Sequence, residues 1–246
     1  MIPPTAVIPA RYQSSRFPGK PLALLLGKPM VQHVVERCRE SKAFSRIVVA
    51  TDDERIVKAV QAFGGEAELT SPDCASGSDR VAEVMRRVNG MHDDVFVNVQ
   101  GDEPAISPRA LAALVKKASE HDVGMATLVR PIERQERENP NVVKVVRAED
   151  GSALMFSRYD IPYARVQVPL ARWAHLGIYA YQRHTLMEVC RLKPTALEET
   201  ESLEQLRALG HGIKIHCVET EHATVAVDRP EDVPLAEKAL QALLGR

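Results

Sequence analysis

The sequence lacks what would place it in a membrane, a secretory route or a disulfide scaffold. No apolar run approaches the ~20 residues that span a bilayer, so no membrane partner is expected. The opening Met1-Ile2-Pro3-Pro4 leads into a short apolar segment without a basic n-region, long h-region or cleavage site. A secretory signal is therefore not expected, and the cytoplasm is the expected compartment. The four cysteines, Cys38, Cys74, Cys190 and Cys217, are far apart with no CxxC spacing, which leaves zinc and disulfide readings unsupported. Charge of neither sign dominates: 32 Lys and Arg stand against 33 Asp and Glu, for a formal net charge of −1. The cations are spread along the chain, so no basic footprint for nucleic acid is present. Internal repeats, low-complexity stretches and clear linkers are also missing. What remains is a globular composition, 45% hydrophobic and 26% charged over 246 residues, enough for one large α/β domain with an insertion.

Strand-like runs alternate with helical patterns: 5–9 then 29–40, 46–51 then 53–63, 66–69 then 77–88, and 94–99 then 108–121. Repeated βα units predict a doubly wound, mainly parallel α/β sheet. Local punctuation agrees, with Pro29 opening a helix, Asp52 as an N-cap before Glu54, and Gly64-Gly65 closing the second helix. After Gly124 the pattern changes. Strands at 125–132, 142–147, 153–156 and 176–181 are separated only by loops, which predicts a mixed or antiparallel extension over about 125–182 within a single domain spanning 1–246. Helices at 185–192 and 197–209, strands at 213–218 and 224–227, and a last helix at 230–244 complete the reading.

Four segments carry candidate chemistry. The first strand ends in Pro9-Ala10-Arg11 and runs through Tyr12-Gln13-Ser14-Ser15-Arg16-Phe17-Pro18-Gly19-Lys20. Ligands of open α/β sheets bind beyond the carboxyl ends of strands near the switch point, where this loop belongs. Gly and Ser let backbone amides approach phosphate oxygens, while Arg11, Arg16 and Lys20 neutralise them. A solvated surface loop is the plainer reading. The loop is neither GxGxxG nor GxxxxGK[ST], so no dinucleotide cofactor or P-loop is indicated. In the second segment, Val97-Asn98-Val99-Gln100-Gly101-Asp102-Glu103-Pro104, an apolar strand ends in carboxylates. Magnesium takes one or two of these and fills its shell with water and phosphate. Asp102 is the better ligand, and Asp228, after a short strand, can close the site from the other side; each is otherwise a helix cap. Third, Ser76-Gly77-Ser78-Asp79-Arg80 opens a helix, either reading a base or sugar edge or forming a plain capping box. The fourth group is dispersed: Phe156-Ser157-Arg158, His175 to Tyr179, and Glu198 through Arg207. Here His175 is equally a structural histidine and Glu204 with Arg207 an ordinary (i, i+3) pair. No Ser-His-Asp or Cys-His ordering supports a covalent nucleophile.

Taken together, these segments resemble the 3-deoxy-manno-octulosonate cytidylyltransferases, or CMP-KDO synthetases. The resemblance is carried by Ile8-Pro9-Ala10-Arg11 through Gly19-Lys20-Pro21-Leu22, Asn98 to Pro104, Asn139-Pro140-Asn141-Val142-Val143-Lys144, His175-Leu176-Gly177-Ile178-Tyr179 and Leu203-Glu204-Gln205-Leu206-Arg207. It implies a Rossmann-like nucleotidyltransferase sheet whose antiparallel insertion contributes to a homodimer, with the interface sought at 156–181. It also implies that Pro9, Ala10, Arg11 and Lys20 bind CTP, with Ser76 and Gly77 on the cytosine side, and that Asp102 and Asp228 hold Mg²⁺. Arg11, Lys20 and Asp102 would carry the catalysis. The acidic sugar, 3-deoxy-D-manno-octulosonate (KDO) or a close analogue, would sit among Arg80, Gln100, Arg158, His175, Tyr179, Glu204 and Gln205. The implied reaction transfers CMP from CTP to the sugar and releases pyrophosphate, for lipopolysaccharide biosynthesis.

The sequence departs from the family pattern at three places around the sugar. Ser78-Asp79 stands where Thr-Glu is more usual, 164–174 is short, and Arg229 replaces a common Thr. KDO, its 8-amino form and another sugar acid therefore stay open as acceptors. A non-catalytic nucleotide-binding module is the alternative of a different class, and joint retention of Arg11, Lys20, Asp102 and Asp228 argues against it.

Overall fold

The computed structural model describes residues 4–14, 16–74, 76–90, 94–166, 168–221 and 224–245. Ser15 of the first loop, Ala75 before the Ser76 turn and the expected N-terminal segment 1–3 lie outside them. In chain order the elements are β1 (Thr5–Ala10), β2 (Leu24–Leu25), β3 (Lys28–Pro29), α1 (Met30–Ser41), β4 (Arg46–Thr51), α2 (Glu54–Ala62), β5 (Glu66–Leu69), α3 (Gly77–Arg86), β6 (Val95–Asn98) and α4 (Pro108–Ala118). The second half contains β7 (Met125–Pro131), β8 (Lys144–Arg147), β9 (Ala153–Ser157), β10 (Trp173–Gln182), α5 (Arg183–Val189), α6 (Ala196–Glu201), α7 (Gln205–Gly210), β11 (Ile215–Glu219) and α8 (Val233–Leu243).

Seven strands lie side by side in the order β11-β7-β10-β6-β1-β4-β5, and only β10 runs against the others. The expected doubly wound, mainly parallel sheet is therefore present. Within 125–182, β7 and β10 belong to the seven-strand row itself; β10 has a register shift between Leu176 and Tyr179, and β8 and β9 stand off that row, β8 paired antiparallel with the start of β10 and with β9. β1 alternates its side chains between two cores, as a strand buried on both faces must. Ala6 and Ile8 pack with α1 and α4, whereas Val7 packs on the opposite face with Val81 and Met85 of α3. A smaller cluster of Leu25, Met30, Val227, Ala236 and Leu240 docks α8 against the β2–β3 hairpin. That hairpin is too short to show in apolar periodicity. Its turn places Leu26 and Gly27 at φ of 47° and 80°, as a two-residue hairpin turn requires.

Three local expectations are corrected. The N-cap of α2 is Asp53, whose carboxylate accepts from the Arg55 amide, because Asp52 turns inward to meet Arg80. The helix expected over 197–209 is two helices, broken where Ser202 takes a left-handed φ of 51°. The segment 224–227 is not a strand; its Val227 amide donates to the Asp102 carbonyl at 2.9 Å instead.

The chain passes from the β1–β4–β5 side of the sheet to β6, so the switch point falls between β1 and β6. Their carboxyl ends nearly touch at Gly101, where a Cβ would stand 2.7 Å from the Pro9 carbonyl oxygen. Gly101→Ala should therefore cost about 1–3 kcal/mol of stability, the usual penalty of overpacking, read as a lower denaturant midpoint with an unchanged slope.

Candidate active site

The carboxyl ends of β1 and β6 open into a cavity of about 400 Å³. Of the residues expected to bind the nucleotide, Pro9, Ala10, Arg11, Lys20 and Gly77 line it, together with Gln100 and Asp102. Gln13, Ser14 and Arg16 line it as well. The first loop is folded back on itself by a Gly19 amide bond to the Tyr12 carbonyl at 2.8 Å. Gly19 sits at a φ of 71° against the Tyr12 ring, and the Arg55 guanidinium covers that ring at 3.3 Å from its centroid. Two cations are thereby delivered to the carboxylates. The Lys20 ammonium donates to Asp102 Oδ2 at 2.7 Å and stands 3.6 Å from Asp228 Oδ1, while Arg16 pairs with Asp228 at 3.3 Å. Arg11 donates to the Cys74 carbonyl, tying the loop to the turn before Ser76.

The Ser76 turn realises the capping box: Ser76 Oγ accepts from the Asp79 amide, and Asp79 accepts from the Ser76 amide. Gly77 still faces the cavity, where a Cβ would meet the Asn98 amide nitrogen at 3.2 Å. Sequence reasoning did not single out Glu103 for its environment. It is buried, with one carboxyl oxygen unpartnered among the described residues. Burial, reinforced by the neighbouring Asp102 charge, pushes its pKa up to about 8. An apolar context on one side of a two-carboxylate turn is the only sequence signal of that state.

The expected sugar residues do not meet in one cavity. Gln100 stays at the cavity at the ends of β1 and β6 and donates to the Gly177 carbonyl at 3.1 Å. Tyr179, Glu204 and Gln205 face a small recess with Ser78 and Tyr181; burial raises the Glu204 carboxyl pKa, and Ser76 Oγ donates to it at 3.3 Å. His175 packs edge-on to Phe156 at 4.9 Å and lies 3.0 Å from Thr127 Oγ1, and burial lowers its pKa to about 3, so the ring is neutral. Arg158 borders a separate cavity of about 710 Å³. Arg80 lines none of these cavities: it is wholly buried, donating to Thr70 Oγ1 and to Asp52 at 3.1 Å, so the half-buried Asp52 carboxylate takes the place of the expected ligand anion. Arg207 likewise pairs with Glu198 across α6 and α7 at Nε to Oε2 2.8 Å, in place of the expected (i, i+3) pair with Glu204.

Metal fit rests on the donor chemistry. Asp102 and Asp228 present hard carboxylate oxygens to one ammonium from two chain segments, and both side chains are partly solvent-accessible. No cluster of three or more metal-ligating side chains occurs among the described residues. Two carboxylates beside a phosphate-sized cavity are what magnesium asks of a protein, so the residues fit that ion.

A family model described as cytidylyltransferase matches residues 5–215. The chain is 52% identical over 242 residues to the 3-deoxy-manno-octulosonate cytidylyltransferase of Myxococcus xanthus, covering 98% of this chain and 97% of the relative. It is 46% identical to that of Geobacter sulfurreducens, covering 97% and 98%. Among solved structures, a CMP:2-keto-3-deoxy-manno-octonic acid synthetase complexed with CTP superposes with a TM-score of 0.91 at 43% identity, over 97% of this chain and 98% of that one.

The Glu103 environment has a thermodynamic signature. Its folded pKa of about 8 exceeds the ordinary 4.5, so the folded chain keeps a proton that the unfolded chain releases, and stability falls as pH rises through that interval. In Glu103→Gln the decline of the thermal midpoint between about pH 5 and about pH 8 should be shallower than in the parent protein.

Proposed function

The chain belongs to the 3-deoxy-manno-octulosonate cytidylyltransferase family, and from that membership we propose how its residues transfer the cytidylyl group of CTP to KDO. The observation that carries the assignment of roles is the Lys20 ammonium between Asp102 and Asp228 at the cavity lined by Arg11 and Arg16. The triphosphate lies along the loop from Pro9 to Lys20, with Ala10, Arg11 and Lys20 at its oxygens and the cytosine toward Ser76 and Gly77. An anomeric hydroxyl of KDO attacks the α-phosphorus; its O–H proton passes to solvent, an O–P bond forms, and the bond to the bridging oxygen breaks as pyrophosphate departs. Both reactants are anionic, so charge neutralisation and alignment supply most of the rate. Asp102 and Asp228 would hold Mg²⁺, which supplies neutralisation of the charge developing on the phosphate oxygens.

Recognition of KDO by Gln100, Arg158, His175, Tyr179, Glu204 and Gln205, which do not share one cavity, requires these groups to converge on the sugar when it binds. Gln100 is already oriented by the Gly177 carbonyl, and the buried Gln205 amide nitrogen has no partner among the described residues, so it is free to donate to a sugar hydroxyl. Arg80 supports this pocket through Asp52 and Thr70 from within the interior. The whole chain 1–246 acts as one cytoplasmic unit, with 125–182 as an extension that pairs two copies into a homodimer. Tyr163, Val166, Val168 and Leu170 on that extension are exposed at 89%, 68%, 65% and 54%, an apolar run that a second copy would cover.

Incubation with CTP, Mg²⁺ and either KDO or its 8-amino form, followed by detection of the CMP-sugar, tests the reaction and separates the two acceptors. Asp102→Ala should lower turnover at least about a hundred-fold with the fold intact, and parent-like rates in that variant would overturn the assignment. Val168→Asp should shift the sedimenting species from dimer to monomer at micromolar concentration.

A further inference from the structure

The segment Asn139-Pro140-Asn141-Val142-Val143-Lys144 touches no phosphate-facing residue, yet its polar groups reach two of the proposed acceptor residues. Lys144 opens β8 as one of the largest side chains in the interior, only 1% exposed. Its ammonium has no carboxylate within ion-pair distance among the described residues. It donates instead to three main-chain carbonyls, those of Asn139 at 3.0 Å, Val142 at 2.8 Å and Arg158. An ammonium has three donors and all three are used. A buried charge satisfied in this way fixes the backbone around it, since moving any one carbonyl leaves a desolvated N–H unpaired.

The fixed backbone then aims other groups. The Pro140 carbonyl, inside the turn that Lys144 closes, accepts from Arg158 Nη1 at 3.0 Å. The Val143 carbonyl accepts from the His175 amide at 2.8 Å. Glu201 grips the same strand end from the other side: its carboxylate accepts from Ser157 Oγ at 2.6 Å and from the Arg158 amide at 2.9 Å, while its carbonyl accepts from Arg158 Nε at 2.7 Å. The Ser202 carbonyl takes Arg158 Nη2 at 3.3 Å. Three of the five guanidinium donors are thus committed to carbonyl oxygens, and the remaining two are those a sugar carboxylate can take.

We infer that Lys144, with Glu201, is a positioning residue for the acceptor half of the reaction: its buried ammonium gathers the carbonyls of Asn139, Val142 and Arg158 and so holds Arg158 and His175 in register for an acidic sugar. The inference rests on the proposed acceptor pocket. It separates the two substrates, because, among the described residues, no member of this network lines the cavity of Arg11, Lys20 and Asp102.

The test is steady-state kinetics with CTP, Mg²⁺ and KDO on Lys144→Met, which keeps the stem and removes the donors. KM for KDO should rise about ten-fold or more, the factor of one lost hydrogen bond to a charged group, while KM for CTP stays within about two-fold. Lys144→Arg, which keeps charge and donors, should recover part of the KDO affinity. Equal rises in both KM values, or a fall in kcat alone, would mark a merely structural role and overturn the inference. If Lys144→Met does not fold, Glu201→Gln decides by the same split of KM values. Unchanged KDO kinetics in a folded variant, with the parent enzyme active, overturns this inference alone; a parent enzyme that makes no CMP-KDO overturns the acceptor reading and this inference together.

Discussion

The near-contact of β1 with β6 at their carboxyl ends is the constraint from which the rest of the site follows. Gly101 lies against the Pro9 carbonyl with no room for a side chain, so the loop after β1 and the turn after β6 share one rim. That shared rim lets a lysine ten residues beyond Ala10 meet the carboxylate of Asp102 at 2.7 Å. The same turn reaches the C-terminal segment through the Val227 amide and the Asp102 carbonyl, which draws Asp228 to the same ammonium. Three stretches distant in sequence thus converge because one glycine permits close backbone approach.

Electrostatics at that rim is balanced by burial. Arg11, Arg16 and Lys20 stand against Asp102 and Asp228, and a third carboxylate beside them would oppose a triphosphate. Glu103 avoids doing so because its pKa of about 8 keeps it protonated at neutral pH. Its desolvation cost is smaller in the neutral form. On the proposed roles, the cavity would therefore face an incoming polyanion with two carboxylates whose charges Lys20 and Arg16 already offset.

What was legible in the sequence depended on range. Loop residues Pro9 to Lys20 and Asp102 lie at the ends of β1 and β6, so strand ends and turn residues mark them locally and the parallel sheet puts them on one rim; Asp228 follows no strand and reaches that rim through the bond of the Val227 amide to the Asp102 carbonyl. Arg80 could not be placed, because its partners Asp52 and Thr70 come from the loops after β4 and β5 and are joined to it only by folding. The break at Ser202 and the cross-helix pair of Arg207 with Glu198 were hidden for a related reason: a 3.6-residue period continues through a break that needs just one residue in a left-handed conformation. The 224–227 segment reads as a strand by composition, yet its amide at Val227 is consumed by the Asp102 turn.

The acceptor side is built on a different principle from the donor side. On the proposed roles, the cavity at the ends of β1 and β6 presents side-chain charges on flexible stems, suited to a triphosphate whose many oxygens tolerate several arrangements. A sugar acid carries one carboxylate and hydroxyls of fixed stereochemistry, so its recognition depends on angles more than on total charge. Main-chain carbonyls held by a buried ammonium and a bidentate carboxylate supply such angles, since they move only with the β8–β9 ladder. The two halves meet where Ser76 donates to Glu204 and Gln100 to the Gly177 carbonyl. A shift in the Ser76 turn therefore reaches Glu204 at the start of α7, and a shift at Gln100 reaches β10 at its register shift; on the proposed roles, these two bonds would couple the nucleotide side of the site to the sugar side.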